Sequence, residues 1–168
     1  MLSDHDPIKW IEDNLCLHNK DHKLAPLVLN GFQKQLLVDV LACKKVTVRP
    51  DRFTGKSVAL AVVAVYYMMF RTEKHQKIIK LCTPNSQLKK MSYALIYNFI
   101  NQLDIISPVI YKTTMDHSFE TENALVKLVV YDPCKLKGLR KDTLILFDEV
   151  IANEPELQCF DQYVVLTS

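Results

Sequence analysis

Gly55, Lys56 and Ser57 stand between a β-branched run at residues 45–48 and a long apolar segment that begins at Ser57. This order predicts a strand, a loop and a helix. A glycine lets the backbone approach an anion closely, a lysine adds positive charge, and a serine hydroxyl at a helix start can bind Mg²⁺. The loop is therefore predicted to bind nucleotide phosphates. An ordinary strand-to-helix turn stays open, because Pro50 replaces the usual leading glycine and has no N–H.

A second segment with the composition of a nucleotide site lies almost a hundred residues later. Residues 143–147 are mainly apolar, which predicts a buried strand, and they are followed by Asp148 and Glu149. At the end of such a strand the first acid can hold Mg²⁺, and the second can orient and deprotonate an attacking water. A strand with two solvated acids would look the same. The order of the two segments, each ending a predicted strand, favours a nucleotide site.

The composition describes an ordinary globular chain. The 168 residues are 49% hydrophobic and 24% charged, and they predict one domain with its own core. No signal peptide or membrane anchor is predicted, so the cytoplasm is the expected location. The five cysteines lack C-x-x-C spacing, so neither a disulfide framework nor a zinc site is indicated. The net charge of +2 does not require a nucleic-acid partner.

Helix and strand patterns alternate along the chain and predict an α/β fold, with a mostly parallel sheet flanked by helices on both faces. Helices are predicted at residues 6–17, 32–43, 58–70 and 86–103. Strands are predicted at residues 45–48, 77–84, 109–113, 124–131, 143–149 and 162–168, and a short helix near residues 153–157. One of the two strands between residues 109 and 131 is expected to be antiparallel or at an edge.

Gln33 lies near the start of the second predicted helix, just ahead of the strand that leads into the phosphate loop. Its amide can donate and accept at once, as an adenine edge requires. Gln33 is therefore a candidate for reading the base, and a solvated glutamine at a helix start is the alternative.

Five short motifs resemble, in the same order, those of the N-terminal ATPase domain of tailed-phage terminase large subunits, the motors that package double-stranded DNA into proheads. They are the glutamine motif at residues 31–35, a divergent Walker A loop at 51–57, a strand-and-turn motif at 81–87, the lead-in to Walker B at 138–142, and the start of the coupling motif at 164–168. The resemblance covers most of the chain and accounts for Pro50. It implies a P-loop NTPase of the additional-strand type that uses ATP and Mg²⁺.

The resemblance also implies a role for each matching residue. Lys56 and Arg52 would neutralise phosphate charge, Glu149 would activate water, and Thr167 with Ser168 would couple the nucleotide state to the grip on DNA. Mg²⁺ would be held by Ser57 and Asp148. The implied ATP-binding residues are Gln33, Arg52, Phe53, Thr54, Gly55, Lys56 and Ser57. Phe53 departs from the family, which often has a polar residue there.

Partners follow from the same resemblance. They are double-stranded DNA, a portal protein, a small terminase subunit and further copies in a ring, expected to be a homo-oligomeric pentamer, in the host cytoplasm and transiently on the prohead portal. Ring ATPases complete the site with an arginine from the next subunit. Arg140, in the basic loop before the Walker B strand, is the candidate. Arg52 is a possible substitute in cis, and a solvated role for Arg140 is the alternative.

Two other functions stay open on the sequence. A helicase-like DNA translocase uses the same hydrolysis motifs, and a P-loop assembly module could bind nucleotide without turning it over. The presence of both Lys56 and Glu149 argues against the inactive module. The family's chain continues into an RNase H-like nuclease domain, which these 168 residues lack. The expectation is therefore a truncated or split ATPase domain without nuclease activity.

Overall fold

Five helices and nine strands make up the part of the chain that the computed structural model describes, which is residues 6–49, 51, 54–70, 77–103, 111–113, 117–150 and 154–167. The helices are α1 (Pro7–Asn14), α2 (Gly31–Leu41), α3 (Lys56–Met69), α4 (Ser86–Leu103) and α5 (Glu154–Leu157), with a 3-10 helix at Pro133–Leu136. The strands are β1 (Cys16–His18), β2 (Leu24–Pro26), β3 (Val46–Val48), β4 (Lys77–Thr83), β5 (Tyr111–Thr113), β6 (Ser118–Glu120), β7 (Ala124–Val130), β8 (Leu144–Asp148) and β9 (Gln162–Leu166).

Seven of the strands form one sheet in the order β3-β9-β8-β4-β7-β6-β5. Its first five strands are parallel, and β6 and β5 continue the sheet in antiparallel pairing to one edge. The predicted α/β class with a mostly parallel sheet is confirmed. So is the additional-strand arrangement, because β9 lies between β3 and β8.

The direction in which the chain crosses the sheet explains which elements cover each face. The chain moves from β3 to β4 to β7 through α3 and α4, then returns from β7 to β8 to β9 through shorter connections. Parallel crossovers share one hand, so connections that run in opposite directions lie on opposite faces. The long helices accordingly share one core with alternate strand residues such as Ile79 and Leu146. The 3-10 helix and α5 cover the other face, against residues such as Ile145 and Phe147.

The central helix α3 is buried on every side, as its uniformly apolar sequence predicts. All ten residues from Ala59 to Met68 are buried, and the helix packs on the sheet and against α1, α2 and α4. Its last carbonyls are bound by the turn before β7. Thr121 Oγ1 donates to Met68 O at 2.9 Å, and Asn123 Nδ2 donates to Met68 O and Met69 O at 3.1 Å each.

The sequence located most of these elements. The predicted helix 86–103 has the bounds of α4, and α1 begins with Asp6 as N-cap and Pro7 at its first position, as predicted. Three short strands, β1, β2 and β6, and the 3-10 helix were not predicted. The predicted strand 109–113 is described only at Tyr111–Thr113. No described helix is both long enough and apolar enough to cross a membrane.

Replacement of Asn123 by alanine is expected to lower the free energy of unfolding by about 1–2 kcal/mol, because the carbonyl of Met69 loses its side-chain donor at the end of a buried helix. Denaturant titration measures the change. The matched control is Asn98→Ala, an exposed position on α4 that has no such contact. Equal stability of the two variants would contradict the capping role of Asn123.

Candidate nucleotide-binding site

Three parallel strands end side by side at the predicted site. Leu166 of β9 is in register with Val48 of β3 on one side and with Asp148 of β8 on the other. Ligands of open α/β sheets bind outside the carboxyl ends of the strands, where the chain changes direction. The predicted phosphate loop and the two predicted acids therefore lie at the same end of the sheet, where the parallel strands have their carboxyl ends.

Gly55 forms the transition from the loop to α3. Its φ of +73° is in the left-handed region, where glycine carries no steric penalty. A Cβ at this position would also lie 2.5 Å from Gln33 Nε2, so a larger residue would displace that side chain. The helix starts at Lys56, and the first N–H groups of an α-helix have no acceptor within the helix. Such N–H groups form a ready anion site.

Two contacts connect this helix start to the end of β8. Ser57 Oγ donates to Asp148 Oδ2 at 2.6 Å, and Lys56 Nζ forms an ion pair with Glu149 Oε1. The side chains of Lys56 and Glu149 are 11% and 29% exposed, so the pair is largely shielded from water. Each predicted phosphate or metal ligand on the helix thus meets one of the two predicted acids.

Asp148 has the surroundings of a metal ligand. The residue is 1% exposed, and burial raises the pKa of its carboxyl, with a further contribution from the negative charge of Glu149. The hydrogen bond from Ser57 and the charge of Lys56 act in the opposite direction. The second oxygen, Oδ1, is buried and has no hydrogen-bond partner among the described residues. A buried carboxylate oxygen with no donor, beside a serine hydroxyl, is a donor set that fits Mg²⁺.

Glu149 has an unusual backbone conformation. Its φ is +58°, in the left-handed region that residues with a Cβ seldom occupy, at a cost of roughly 1–2 kcal/mol. Its N–H donates to Leu166 O at 2.9 Å, so the strained residue stays attached to β9. Strain of this kind persists where the surroundings determine the conformation, and it is found preferentially at functional sites.

The start of α2 reaches the loop from the other side. Gln33 is 7% exposed, and its Nε2 donates to Gly55 O at 3.1 Å. Asn30, the N-cap of α2, donates from Nδ2 to Thr54 O at 2.9 Å. Sequence reasoning missed Asn30. The signal was present in the Asn-x-x-Gln spacing, which is a capping-box pattern.

The structure describes only some of the remaining predicted site residues. Thr54 belongs to the loop, and its Oγ1 is buried with no hydrogen-bond partner in the described part of the chain. Thr167 follows β9, and its N–H donates to Val48 O at 3.3 Å, so it lies at the same edge of the sheet. Arg52, Phe53 and Ser168 lie outside the described residues, and their predicted roles stay predictions.

Arg140 is not brought to the site within one chain. It precedes the amino end of β8, whereas Asp148 is at the carboxyl end, with roughly 13 Å of strand between the two ends. Its guanidinium is exposed and donates to both carboxylate oxygens of Asp142, from Nε at 3.0 Å and from Nη2 at 2.5 Å. A role for Arg140 in catalysis therefore requires a neighbouring subunit.

The chain has the fold of the additional-strand P-loop ATPases. Several solved structures share this fold. The HK97 bacteriophage large terminase aligns with a TM-score of 0.68 and 14% identity, over 99% of this chain and 38% of that chain. The large terminase ATPase domain of Thermus phage P74-26 aligns with a TM-score of 0.54 and 15% identity, over 84% and 70%.

A helicase shares the same architecture. The UvsW helicase of bacteriophage T4 aligns with a TM-score of 0.63 and 13% identity, over 99% of this chain and 61% of that chain. The chain thus spans 38% of the HK97 terminase and 61% of the helicase. No protein-family model and no curated protein matches the sequence. The likeness is one of fold, and the fold is that of phage large terminase ATPase domains.

Replacement of Asp148 by asparagine is expected to stabilise the fold at neutral pH. Because burial raises the pKa of Asp148 in the folded chain, the folded state holds, between the usual aspartate pKa and the raised one, a proton that the unfolded state has already lost. Wild-type stability therefore falls as the pH rises from the usual aspartate range through the raised pKa. The melting temperature of Asp148→Asn should exceed that of the wild type at pH 7, and the difference should vanish at acid pH.

Asp142→Asn is the control for this measurement. The hydrogen bonds from Arg140 lower the pKa of Asp142, so that carboxyl contributes stability above the usual aspartate pKa and loses it as the pH falls. Its replacement should bring no gain at pH 7. A gain of equal size in both variants would contradict the burial argument for Asp148.

Proposed function

We propose that this chain is the ATP-hydrolysing motor domain of a phage terminase large subunit, which drives double-stranded DNA into a prohead. The observation that carries the proposal is the pair of contacts at the end of β8, from Ser57 to Asp148 and from Lys56 to Glu149. A lysine and a serine at a helix start are held by two acids. These are the groups that a triphosphate and its metal ion would engage.

Binding would begin with the helix start. The N–H groups at the start of α3 and the ammonium of Lys56 would receive the β- and γ-phosphates. Ser57 and Asp148 would hold Mg²⁺, which supplies charge neutralisation on the phosphate oxygens when it is bound. Arg52 is proposed to add positive charge, and Gln33 to contact the base. Adenosine triphosphate is accordingly the proposed substrate.

Hydrolysis requires Glu149 to act on water. In the ion pair its carboxylate is engaged by Lys56, and the γ-phosphate of a bound nucleotide would compete for that lysine. Once released, Glu149 would orient the attacking water and accept its proton. The water oxygen would bond to the γ-phosphorus, and the bond from that phosphorus to the bridging oxygen would break, with the diphosphate leaving. Thr167, which follows the neighbouring strand, is proposed to pass the nucleotide state to the DNA-gripping part of the motor.

The partners in this proposal are double-stranded DNA, a portal protein, a small terminase subunit and further copies of the chain in a ring. The site would then lie in the host cytoplasm or on the prohead portal. A helicase-like translocase is the second candidate, favoured by the shared fold of the UvsW helicase. The two differ in their product, because a packaging motor moves an intact duplex and a helicase separates its strands.

Lys56 and Glu149 should affect different steps. Lys56→Ala is expected to weaken binding of a non-hydrolysable ATP analogue roughly tenfold or more, because a charged contact to the phosphates is lost. Glu149→Gln should bind at least as tightly as the wild type, because glutamine competes less for Lys56, and should lose about 10²-fold or more in turnover. Calorimetry and a phosphate-release assay measure the two effects.

Two exposed residues provide matched controls for these substitutions. Lys90→Ala and Glu156→Gln remove the same charges at surface positions outside the site, and both should bind and hydrolyse as the wild type does. Wild-type affinity in Lys56→Ala would overturn the proposed phosphate site. Undiminished turnover in Glu149→Gln would exclude that residue as the base.

The trans role of Arg140 can be tested in the assembled ring. A subunit arginine that completes the neighbouring site contributes on the order of 10³-fold or more in rate, so Arg140→Ala rings should be nearly inactive. Mixing Arg140→Ala with Glu149→Gln subunits should restore turnover, because some interfaces then combine an intact base with an intact arginine. Lys141→Ala, the exposed neighbour, is the control. Full activity of Arg140→Ala rings would rule out the role.

A further inference from the structure

Two side chains at the start of α2 hold consecutive carbonyls of the phosphate loop. Asn30 Nδ2 donates to Thr54 O at 2.9 Å, and Gln33 Nε2 donates to Gly55 O at 3.1 Å. The residues lie more than twenty positions apart in sequence from the carbonyls they bind. The loop is thus attached to α2 at two successive peptide groups.

The side-chain amide of Asn30 and that of Gln33 are each held by the backbone N–H of the other residue. Gln33 N donates to Asn30 Oδ1 at 2.9 Å, and Asn30 N donates to Gln33 Oε1 at 3.0 Å, which is a reciprocal capping box. Each side chain therefore uses its oxygen to cap α2 and its nitrogen to hold the loop. Because the capping bonds orient both amide groups, the two donors are preorganised before any nucleotide binds.

The residue type at position 30 distinguishes the capping of α2 from the contact with the loop. Serine, threonine, aspartate and asparagine all serve as N-caps, because each provides a side-chain oxygen. Of these four, only asparagine also provides an N–H₂ group that can donate to a carbonyl while its oxygen caps the helix. Capping alone does not require asparagine at position 30, whereas the contact with Thr54 does.

The carbonyls that are held determine where the neighbouring N–H groups point. A peptide group is planar and trans, so its N–H is directed opposite to its C=O. Holding Thr54 O fixes the N–H of Gly55 and directs it away from Asn30. Gly55 O also accepts the first hydrogen bond of α3, from Ala59 N at 3.0 Å, so the helix and Gln33 together fix the N–H of Lys56. These two N–H groups are the ones that a phosphate would use at this helix start.

We propose that Asn30 is a positioning residue of the nucleotide site: it fixes the peptide plane between Thr54 and Gly55, next to the plane that α3 and Gln33 fix, so that the N–H groups of Gly55 and Lys56 face the nucleotide phosphates. The proposal rests on the nucleotide-binding function proposed above. Asn30 touches the loop backbone and acts through it, and no contact of Asn30 with the nucleotide is required.

Two substitutions remove the N–H₂ donor and keep the cap. Asn30→Ser retains an oxygen that caps α2 on a side chain one atom shorter, without the N–H₂ group that contacts Thr54 O. Asn30→Asp retains the shape of the side chain and replaces the donor by an acceptor. The control is Asp6→Ser, which exchanges the N-cap of α1. The side chain of Asp6 accepts from Ile8 N and Lys9 N. Thermal melting measures the fold, and calorimetry measures affinity for a Mg²⁺-bound non-hydrolysable ATP analogue and for tripolyphosphate alone.

Asn30→Ser is expected to melt as the Asp6→Ser control does and to bind both probes roughly three- to tenfold more weakly than the wild type, as loss of one hydrogen bond implies. Asn30→Asp should lose at least as much affinity. Equal loss for the analogue and for tripolyphosphate would place the effect on the phosphates, as the peptide-plane argument requires.

Wild-type affinity in a folded Asn30→Ser chain would overturn the positioning role and leave the nucleotide site intact. A loss for the analogue with none for tripolyphosphate would overturn it too, since the effect would then concern the base or sugar. The positioning role would also be overturned if Asn30→Ser and Asn30→Asp lose affinity only together with partial unfolding. If the wild type binds neither probe, the proposed function itself fails, and this inference fails with it.

Discussion

The hydrogen bond from Ser57 to Asp148 joins the first turn of α3 to the carboxyl end of β8, and the arrangement of the sheet is what makes it possible. β9 lies between β3 and β8, and its Leu166 is in register with the last residue of each. A slip of one residue in β8 would send Asp148 to the opposite face of the sheet and bring Phe147 or Glu149 to its place, depending on the direction of the slip. The register of three parallel strands therefore decides which residue meets Ser57.

This arrangement reduces stability locally. Asp148 keeps one buried oxygen without a donor, its pKa is raised by burial, and Glu149 occupies a left-handed conformation. The chain compensates elsewhere, because α3 is buried along ten consecutive residues between the sheet and three other helices. The buried central helix, which begins at Lys56, holds the site in place despite its local loss of stability. A site that departs from the usual rules of burial and backbone conformation, inside a core that follows them, is expected to be functional.

The sequence predicted the elements whose signals are local and missed those that depend on distant contacts. α4 and the cap of α1 follow from periodicity and from Asp6 and Pro7, whereas β1 and β2 have three residues each and no hairpin turn signal. Part of what holds that hairpin is Gln102, whose amide bonds the N–H and the C=O of Cys16 from α4. In the site, residue types were predictable, but the pairing of Lys56 with Glu149 and the contact of Asn30 with the loop depend on tertiary geometry.

Gln33 shows how a predicted role depends on contacts that sequence alone does not provide. A glutamine amide has two N–H donors and an oxygen with two lone pairs. In this structure one donor binds Gly55 O and one lone pair accepts from Asn30 N. One donor and one lone pair remain, which is the number that an adenine edge requires. Base reading by Gln33, still a prediction, is therefore compatible with the capping box, and it would connect the base to the phosphate loop through a single side chain that is already fixed at both ends.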